Sequence, residues 1–598
     1  MIPIRTSLFL AVATLASHSL HADDADRFAG KSTSIAYPTT DAQKRSILAA
    51  KEISHPVLHQ TSPLSYHTIL RTGEKLGEET FGLLKDAQGR PLKMKDGSPY
   101  ICNGQFGGSG PDHTEFIEKN GRLYMITQFE CQVGALYMAE LDQNPKTGEL
   151  KAKSLRYIDQ SSHHGGWVHC AGMKTPWNSF LGSEEYEPDA AKRNTETGSI
   201  DPYYDTVAPY FGGDLRKANP YYYGWITEVT LADDGTPRYT KHYSMGRFAH
   251  ELAYVLPDKR TAYLSDDGSN CAMFMYVADR PGDLSAGTLF AAKWKQTDNR
   301  GAGVADLEWI RLGHADDAEL KKIVDANPAF DEIFERKEMA KDGSCPGGFR
   351  GVNTDHGAEC LKLRPGKETE AAFLESRRYA GYLGATTEFR KMEGITYDPD
   401  HRRLYLAMSQ IAKGMEDHKK KGKANDKYDR GSSNDIRLEY NKCGAVYALD
   451  IEDKADPVTG SGYTAKRIYG ILAGVPKKYS KDSLYAENSC DINSIANPDN
   501  ISYLPGSNLL LIGEDTGYHQ NDLVWAFDTQ SNALIDRVAS TPYGSETTSL
   551  IWQPDLNGFR YITLVTQHPF GESDKDKIKD PSDVQSYVGY LKVGADKK

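Results

Sequence analysis

One short motif recurs along the chain with an acid or a thiol at its second position. The segments HELAYVLP, MEGITYDP and PDNISYLP begin at residues 250, 392 and 498, and each has a proline six residues after its acid. HCAGMKTP, from residue 169, has a cysteine at the same position, and two weaker copies follow the same pattern. We call the aligned residues the anchor column: Asp112, Cys170, Glu251, Glu393, Asp499 and Thr548.

A second column of acids follows at a fixed distance. If equivalent positions of every repeat face one channel, the side chains of this second column converge with the anchor column and with Glu130. Carboxylates at close range raise one another's pKa, so cations must neutralise them. The two columns therefore predict a metal site. The residues fifteen positions after the anchors are Thr127, Glu185, Asp266, Met408, Glu514 and Thr563, and the acids Glu184, Asp267 and Asp515 adjoin three of them.

The ligand types indicate two kinds of metal. Carboxylate oxygens favour hard cations, above all Ca²⁺ outside the cell. A thiolate among them indicates a transition metal beside the hard ions. Two other interpretations stay open at this point. Acids at strand ends are often merely solvated, and Cys170 could be one half of a disulfide.

Each copy of the motif has the pattern of a strand, a turn and a second strand. Pro, Gly or Asn separates two apolar runs, which is a hairpin signal, and a further strand such as GALYMAEL or GAVYALDI follows. Six repeats of three or four antiparallel strands predict an all-β fold, a six-bladed β-propeller with loop and helical insertions. We expect a helical insertion near 314–341 and a charged loop near 413–441. The propeller should occupy 101–598, with 23–100 as an N-terminal extension packed on it.

The first residues and the charge indicate where the protein acts. Arg5 precedes an apolar run over 8–16, a pattern typical of a signal peptide, which we place at 1–22. No later segment approaches the ~20 apolar residues that a membrane span needs. We therefore expect a periplasmic or extracellular protein without a membrane span, with a monomer favoured. The net charge of −12 argues against a nucleic-acid partner.

The eight cysteines should be mostly paired in an oxidising compartment. Close spacing favours Cys345 with Cys360 and Cys102 with Cys131. If Cys170 is a metal ligand, the other seven cysteines form at most three bridges. One further thiol then stays free, and Cys271, just beyond the second acid column, is the candidate.

Four longer segments carry a family resemblance. CAGMKTPWNSFLGSEEYEPDA, GRFAHELAYVLPDKRTAYLSDD, EFRKMEGITYDP and ANPDNISYLPGSNLLLIGEDTG together resemble the PhoX family of secreted alkaline phosphatases, from about residue 112 to about residue 573. The resemblance implies a six-bladed propeller, hydrolysis of phosphomonoesters, and the use of iron (Fe³⁺) and calcium (Ca²⁺). Residues similar to the ligands nearest the irons are Cys170, Glu251, Glu393 and Asp499; further acids that match ligands of iron or calcium are Glu185 and Asp266.

The chain departs from the family pattern at the expected phosphate contacts. Where the family usually has NHE, this chain has Gln128, Phe129 and Glu130. An arginine is expected two residues before Glu393, yet Lys391 lies there and Arg390 one step earlier. We therefore take Lys391, Arg390 and Gln128 as candidate phosphate contacts. A single arginine near the start replaces the family's usual twin-arginine signal. The complete set of candidate metal ligands is Cys170, Glu185, Glu251, Asp266, Glu393, Asp499, Glu130 and Glu514.

The predicted function is a secreted, metal-dependent phosphomonoesterase that acts on small phosphate esters. A multinuclear site can clamp phosphate oxygens and activate a bound water, so no serine nucleophile is needed. The chain has no GxSxG nucleophile elbow, which agrees with that scheme. Two alternatives are a calcium-dependent hydrolase of the lactonase type and a non-catalytic calcium-binding propeller. The lactonase-type hydrolase would have little use for Cys170, and the non-catalytic propeller would use Ca²⁺ for stability alone and bind a partner on its rim.

Overall fold

The computed structural model describes residues 25–94, 96–104, 108–421, 423–424, 429–431 and 433–596. Antiparallel strands dominate this part of the chain, and the all-β prediction is confirmed. The predicted signal peptide at 1–22 lies outside the described residues. Five sheets, numbered I to V along the chain, form the body of the protein.

Sheets I and II are simple four-stranded meanders. The first turn of sheet I contains Asn120 and Gly121, both with positive φ (52° and 73°), as a two-residue type I′ hairpin requires. The strands of sheet I are Gly108–Lys119, Arg122–Cys131, Ala135–Gln143 and Leu150–Tyr157. The strands of sheet II are Met173–Lys174, Phe180–Gly182, Ile226–Leu231 and Pro237–His242.

Sheet III has nine strands and contains two of the predicted repeats. The two repeats are joined where the strand Val304–Asp316 pairs with Ala465–Ala473. From one edge to the other, its strands are His250–Val255, Thr261–Asp266, Phe274–Arg280, Asp283–Asp298, Val304–Asp316, Ala465–Ala473, Ala445–Ile451, Arg403–Met408 and Met392–Asp398.

Sheets IV and V each include strands from the N-terminal region. Leu48–Ala49 pairs with Ala533–Tyr543, and Gln60–Arg71 pairs with Tyr587–Val593. The described part of the predicted N-terminal extension is therefore hydrogen-bonded into sheets IV and V through these two strands. The order in sheet IV is Leu48–Ala49, Ala533–Tyr543, Asn521–Asp528, Leu509–Glu514 and Pro498–Leu504. The order in sheet V is Glu52–His55, Gln60–Arg71, Tyr587–Val593, Phe559–Gln567 and Glu546–Thr548, with Trp552–Leu556 also on Phe559–Gln567.

All six predicted hairpins are present as antiparallel strand pairs. The arrangement is compatible with a propeller, and the count of six blades stays a prediction. Four tryptophans, Trp167, Trp225, Trp294 and Trp525, are fully buried among the sheets. None of the described helices is both long enough and apolar enough to cross a membrane.

The helices and small sheets lie in the connections. The stretch predicted to be helical contains the helix Asp317–Asp325, a 3-10 turn at Phe330–Glu332 and then the strand Phe334–Glu338. The other α-helices are Asp41–Lys44, Glu368–Leu374 and Ser376–Leu383. The small sheets pair Phe334–Glu338 with Gly357–Leu363 and Arg350–Thr354, Ser269–Cys271 with Phe389–Arg390, Lys419–Lys420 with Lys423–Ala424, and Lys75–Leu76 with Glu79–Thr80.

The short 3-10 helices occupy further connections. Tyr204–Phe211, the longest of them at eight residues, packs Tyr204, Val207 and Tyr210 inward. Lys413–Met415 begins the predicted charged loop, which is described only in part. The remaining 3-10 helices are Ser161–His163, Ala190–Lys192, Leu215–Lys217, Pro220–Tyr222, Tyr243–Met245 and Lys575–Lys577.

Three disulfides cross-link the described part of the chain. Cys102–Cys131 and Cys345–Cys360 are the two pairs that spacing predicted, and Cys443–Cys490 is the third. Cys170 and Cys271 are buried and unbridged. The cysteine prediction is therefore confirmed in both parts, the pairings and the two free thiols.

Candidate metal centre

The anchor acids lie at irregular points of their strands. In sheet I the ladder shifts register between Pro111 and Thr114, around Asp112. The same irregularity surrounds the anchors in sheets III and IV: the register shifts lie between His250 and Leu252, between Met392 and Ile395, and between Pro498 and Ile501. A bulge leaves a residue outside the regular pairing and redirects its side chain. The repeat therefore places a bulge, and not only an acid, at the anchor position.

The side chains of Glu251, Glu393 and Asp499 line one cavity of about 830 Å³. Ligand atoms of Glu251, Glu393 and Asp499 lie within 4.8 Å of one another. Four further groups meet the same limit: Asp112 with Glu130 and Cys170, Cys170 with Glu185 and Glu251, Asp499 with Asp515 and Glu546, and Asp515 with His568 and Glu572. Shared members join the five groups into one cluster of acids, one thiol and one imidazole.

Cys170 belongs to two of these groups. Its Sγ is 3.0 Å from Oε2 of Glu251 and 3.7 Å from Oδ2 of Asp112. Burial raises the pKa of the Cys170 thiol, and the carboxylate of Asp112 raises it further. Burial and like charge therefore favour the protonated thiol, which donates to Glu251. A bound cation reverses this preference because it stabilises the thiolate.

The surroundings of the cluster acids disfavour their charged forms. Burial, with neighbouring carboxylates, raises the pKa of Glu130 and Glu393 to about 7. The pKa values of five other acids are raised well above their ordinary range, by burial first and then by like charges; these are Asp112, Glu185, Glu251, Asp499 and Glu546. So many buried acids need either protons or cations.

The donor set fits metal ions. Oδ1 of Asp112 is buried and has no hydrogen-bond partner among the described residues, although buried polar atoms are normally paired. The oxygens available in the cluster suit a hard cation, and the single Sγ suits a transition metal. The residues present therefore fit the mixed metals that the sequence predicts.

One lysine supplies positive charge inside the cavity. Nζ of Lys391 is 3.1 Å from Oε1 of Glu393 and 3.5 Å from Oδ2 of Asp267. Burial opposes the charged form, but these two carboxylates hold the pKa of Lys391 well above its ordinary value. Arg390 also lines the cavity. Its Nη1 donates to the Gly268 carbonyl at 2.7 Å, and its buried Nε has no hydrogen-bond partner in the described part of the chain.

The structure does not bring three predicted site residues to the cavity. Asp266 accepts hydrogen bonds from Arg377 and from the Ala272 amide. Gln128 donates to the carbonyls of Cys170 and Ala171 and supports the backbone beneath the thiol. Glu514 is satisfied by four donors, the amides of Ala496 and Leu523 and the side chains of His519 and Trp525.

Asp267, next to Asp266, and Asp515, next to Glu514, line the cavity instead. Successive strand residues point to opposite sides, so only one acid of each adjacent pair can face inward. The acid pair begins 14 residues after the anchor in sheet II and 15 residues after it in sheets III and IV. Counting fifteen residues from the anchor therefore gives the inward acid Glu185 in sheet II, but the outward acids Asp266 and Glu514 in sheets III and IV.

Glu546, His568 and Glu572 are further cavity residues that the sequence did not reveal. Glu546 lies two residues before the sixth anchor, Thr548, at a position outside both columns. His568 follows the strand Phe559–Gln567. Only an acid close to a known anchor could have indicated Glu546, and no repeat pattern indicated the other two.

Comparison with solved structures shows proteins of similar fold. PhoX of Pseudomonas fluorescens in complex with vanadate, a transition state analogue, superposes with a TM-score of 0.55 at 16% identity over 94% of this chain and 97% of that chain. The periplasmic gluconolactonase PpgL of Pseudomonas aeruginosa reaches a TM-score of only 0.27 at 11% identity, over 73% of this chain and 86% of that one. No curated protein matches the chain.

The family comparison covers most of the sequence. The model of the family described as alkaline phosphatase PhoX matches residues 140–569. That range contains Cys170, Glu251, Glu393 and Asp499, the residues on which the resemblance rested. The chain therefore belongs to the PhoX family of alkaline phosphatases.

Proposed function

We propose that the chain is a secreted phosphomonoesterase that holds iron and calcium in the cavity and releases phosphate from small esters. One observation carries this proposal. A buried thiol and carboxylates from four sheets meet within ligand distance in a protein of an alkaline phosphatase family. A calcium-only propeller would give the thiol no role.

The division of ligands follows from donor chemistry. Cys170 and Glu251 would hold the iron together with Glu393 and Asp499, which lie within ligand distance of Glu251, since a thiolate binds transition metals well. The oxygen-rich group of Asp499, Asp515 and Glu546 suits calcium. When bound, such ions neutralise phosphate charge and lower the pKa of a coordinated oxygen.

Lys391 is the residue best placed to orient the phosphate. Its ammonium is anchored by Glu393 and Asp267 on the cavity wall. It therefore offers a positive charge whose position is fixed before the substrate arrives, and little reorganisation is needed during the reaction. Nε of Arg390 has no acceptor among the residues that the structure describes, so this donor is available to a phosphate oxygen.

Secretion is supported by the disulfides. Three bridges within the described residues are typical of an oxidising compartment and rare in the cytosol. Together with the expected signal peptide, they support a periplasmic or extracellular location.

A chelation experiment tests the proposed function. The purified protein should hydrolyse p-nitrophenyl phosphate at alkaline pH, lose that activity after dialysis against EGTA and regain it with added Ca²⁺. Glu308→Gln is the control variant because Glu308 is an exposed acid outside the two columns. Full activity in the chelated sample would contradict a calcium requirement, and no hydrolysis by the metal-loaded protein would contradict the function.

A further inference from the structure

Two exposed tyrosines stand on the wall of the cavity. Tyr186 is 41% exposed and Tyr203 is 44% exposed, and both line the cavity. Among the described residues, the other large apolar side chains that are exposed are aliphatic: Val57, Leu58, Val458, Val475 and Leu484. The exposed aromatic rings thus coincide with the acid cluster. Apolar rings beside a few fixed polar groups are typical of a ligand site.

Tyr186 is held in an unusual conformation next to the phosphate-orienting lysine. Its hydroxyl donates to Oδ2 of Asp267 at 2.8 Å, the same oxygen that lies 3.5 Å from Nζ of Lys391. Its φ of 48° is in the left-handed region, which is costly for a bulky residue and is found mainly where the surroundings enforce it. The ring is therefore fixed while part of it stays open to solvent.

Tyr203 is positioned through a buried tryptophan. Its ring packs edge-on against Trp167, with centroids 5.6 Å apart. The indole Nε1 of Trp167 donates to the carbonyl of Tyr186 at 3.1 Å. One buried residue thus contacts both tyrosines. Rings fixed in this way lose little conformational entropy when a ligand binds.

We propose that Tyr186 and Tyr203 form a subsite for the leaving group, which binds the planar aromatic part of a phosphate monoester such as a nucleoside monophosphate. This inference rests on the proposed function, since it assumes that Lys391 orients the phosphate. The cavity volume of about 830 Å³ accommodates a ligand of that size. Base stacking on an aromatic ring is tolerant of base identity because every base has a π-face.

The test compares two substrates with the same kind of leaving oxygen. Adenosine 5′-monophosphate and ribose 5-phosphate both release a primary alcohol, so they differ mainly in the base. The wild-type kcat/KM should favour the nucleotide by about 3- to 10-fold or more, the size of an aromatic pair contact. Tyr203→Leu should lower this ratio by about 3- to 10-fold, whereas Tyr203→Phe should keep it. Leu484→Ala, an exposed apolar change outside the cavity, is the control.

The outcomes separate this inference from the proposed function. A wild-type ratio near one, or an unchanged ratio in both Tyr203→Leu and Tyr186→Leu, would overturn the subsite while the phosphatase activity stands. If neither ester is hydrolysed, the phosphatase proposal fails, and saturation-transfer NMR with adenosine then decides the subsite. Saturation transfer to the adenine protons in the wild type, lost in the double variant Tyr186→Leu with Tyr203→Leu, would support the subsite. The absence of saturation transfer in the wild type would overturn it.

Discussion

Arg377→Met should destabilise the protein and disturb the cavity together. The guanidinium is buried at the start of the helix Ser376–Leu383. Its Nε donates to Oδ2 of Asp266 at 2.9 Å, and its Nη1 donates to Oε1 of Glu187 at 2.7 Å. Asp266 precedes the cavity acid Asp267, and Glu187 follows Tyr186. One cation therefore holds two chain segments that line the site.

The magnitude follows from leaving two buried acids without their cation. Removing one partner of a buried ion pair costs about 3–5 kcal/mol of the free energy of unfolding. The entropy of unfolding, about 2.1 cal/mol/K per residue, is roughly 1.3 kcal/mol/K for a chain of 598 residues. The melting temperature should therefore fall by about 2–4 °C. Because the segments next to Asp267 and Tyr186 lose their support, kcat/KM should fall about 10- to 100-fold, as for other groups that orient ligands.

Acid pH should reduce the difference in stability between the wild type and the variant. Although burial opposes its charged form, Glu187 has a pKa lowered to about 2, with Arg377 the main cause and His356 a further one. Since the pKa of Glu187 is depressed, its contribution to stability is present above the unfolded value of about 4.5. It is lost as the pH falls toward 2. The wild type should therefore lose more stability than Arg377→Met across this range.

The assay is thermal unfolding followed by tryptophan fluorescence, with activity measured on the same samples. Arg300→Met is the matched control, because Arg300 is 88% exposed and its pair with Asp298 at 2.5 Å is a surface pair, which contributes about 0–1 kcal/mol at most. Equal melting temperatures for Arg377→Met and the wild type, together with unchanged kcat/KM, would refute the reasoning.

Three other predictions concern the cluster, a buried histidine and the thiols. The neutral variants Glu251→Gln, Glu393→Gln and Asp499→Asn should each lower kcat about 100-fold or more, since about 3 kcal/mol of transition-state stabilisation is lost. Their far-UV circular dichroism should be unchanged, and the control Glu308→Gln should stay active. Although burial opposes protonation, Asp317 and Glu228 raise the pKa of His242 to about 10, so the destabilisation by His242→Gln in urea titrations should be full below pH 6.5 and disappear as the pH rises through 10. Alkylation in denaturant with a chelator and without reductant should label Cys170 and Cys271 only; a peptide map with Cys170 in a disulfide would contradict its role as a ligand.

The sequence predicted the parts of the fold that local pattern controls. Each hairpin has its own turn residues and its own apolar runs, as in Asn120-Gly121, so the strand pairs could be found from short segments. The strands Leu48–Ala49 and Gln60–Arg71 were not predicted. Their partners lie more than 480 residues further along the chain, and no local pattern reports such a pairing.

The site was predicted where the repeat is regular and missed where it is not. The anchors Glu251, Glu393 and Asp499 converge because each lies at a comparable irregularity of its strand. The second column failed for Asp266 and Glu514 because one hairpin differs in length by a single residue, which exchanges the inward and outward faces of a strand.

Metal analysis of the wild type and Cys170→Ser tests the central claim most directly. Protein purified from the periplasm or the medium should be examined by inductively coupled plasma mass spectrometry. The account predicts both iron and calcium in stoichiometric amounts in the wild type, and a loss of iron with retention of calcium in Cys170→Ser. An active wild-type enzyme without iron or calcium above trace, or a Cys170→Ser variant with full iron, would contradict it.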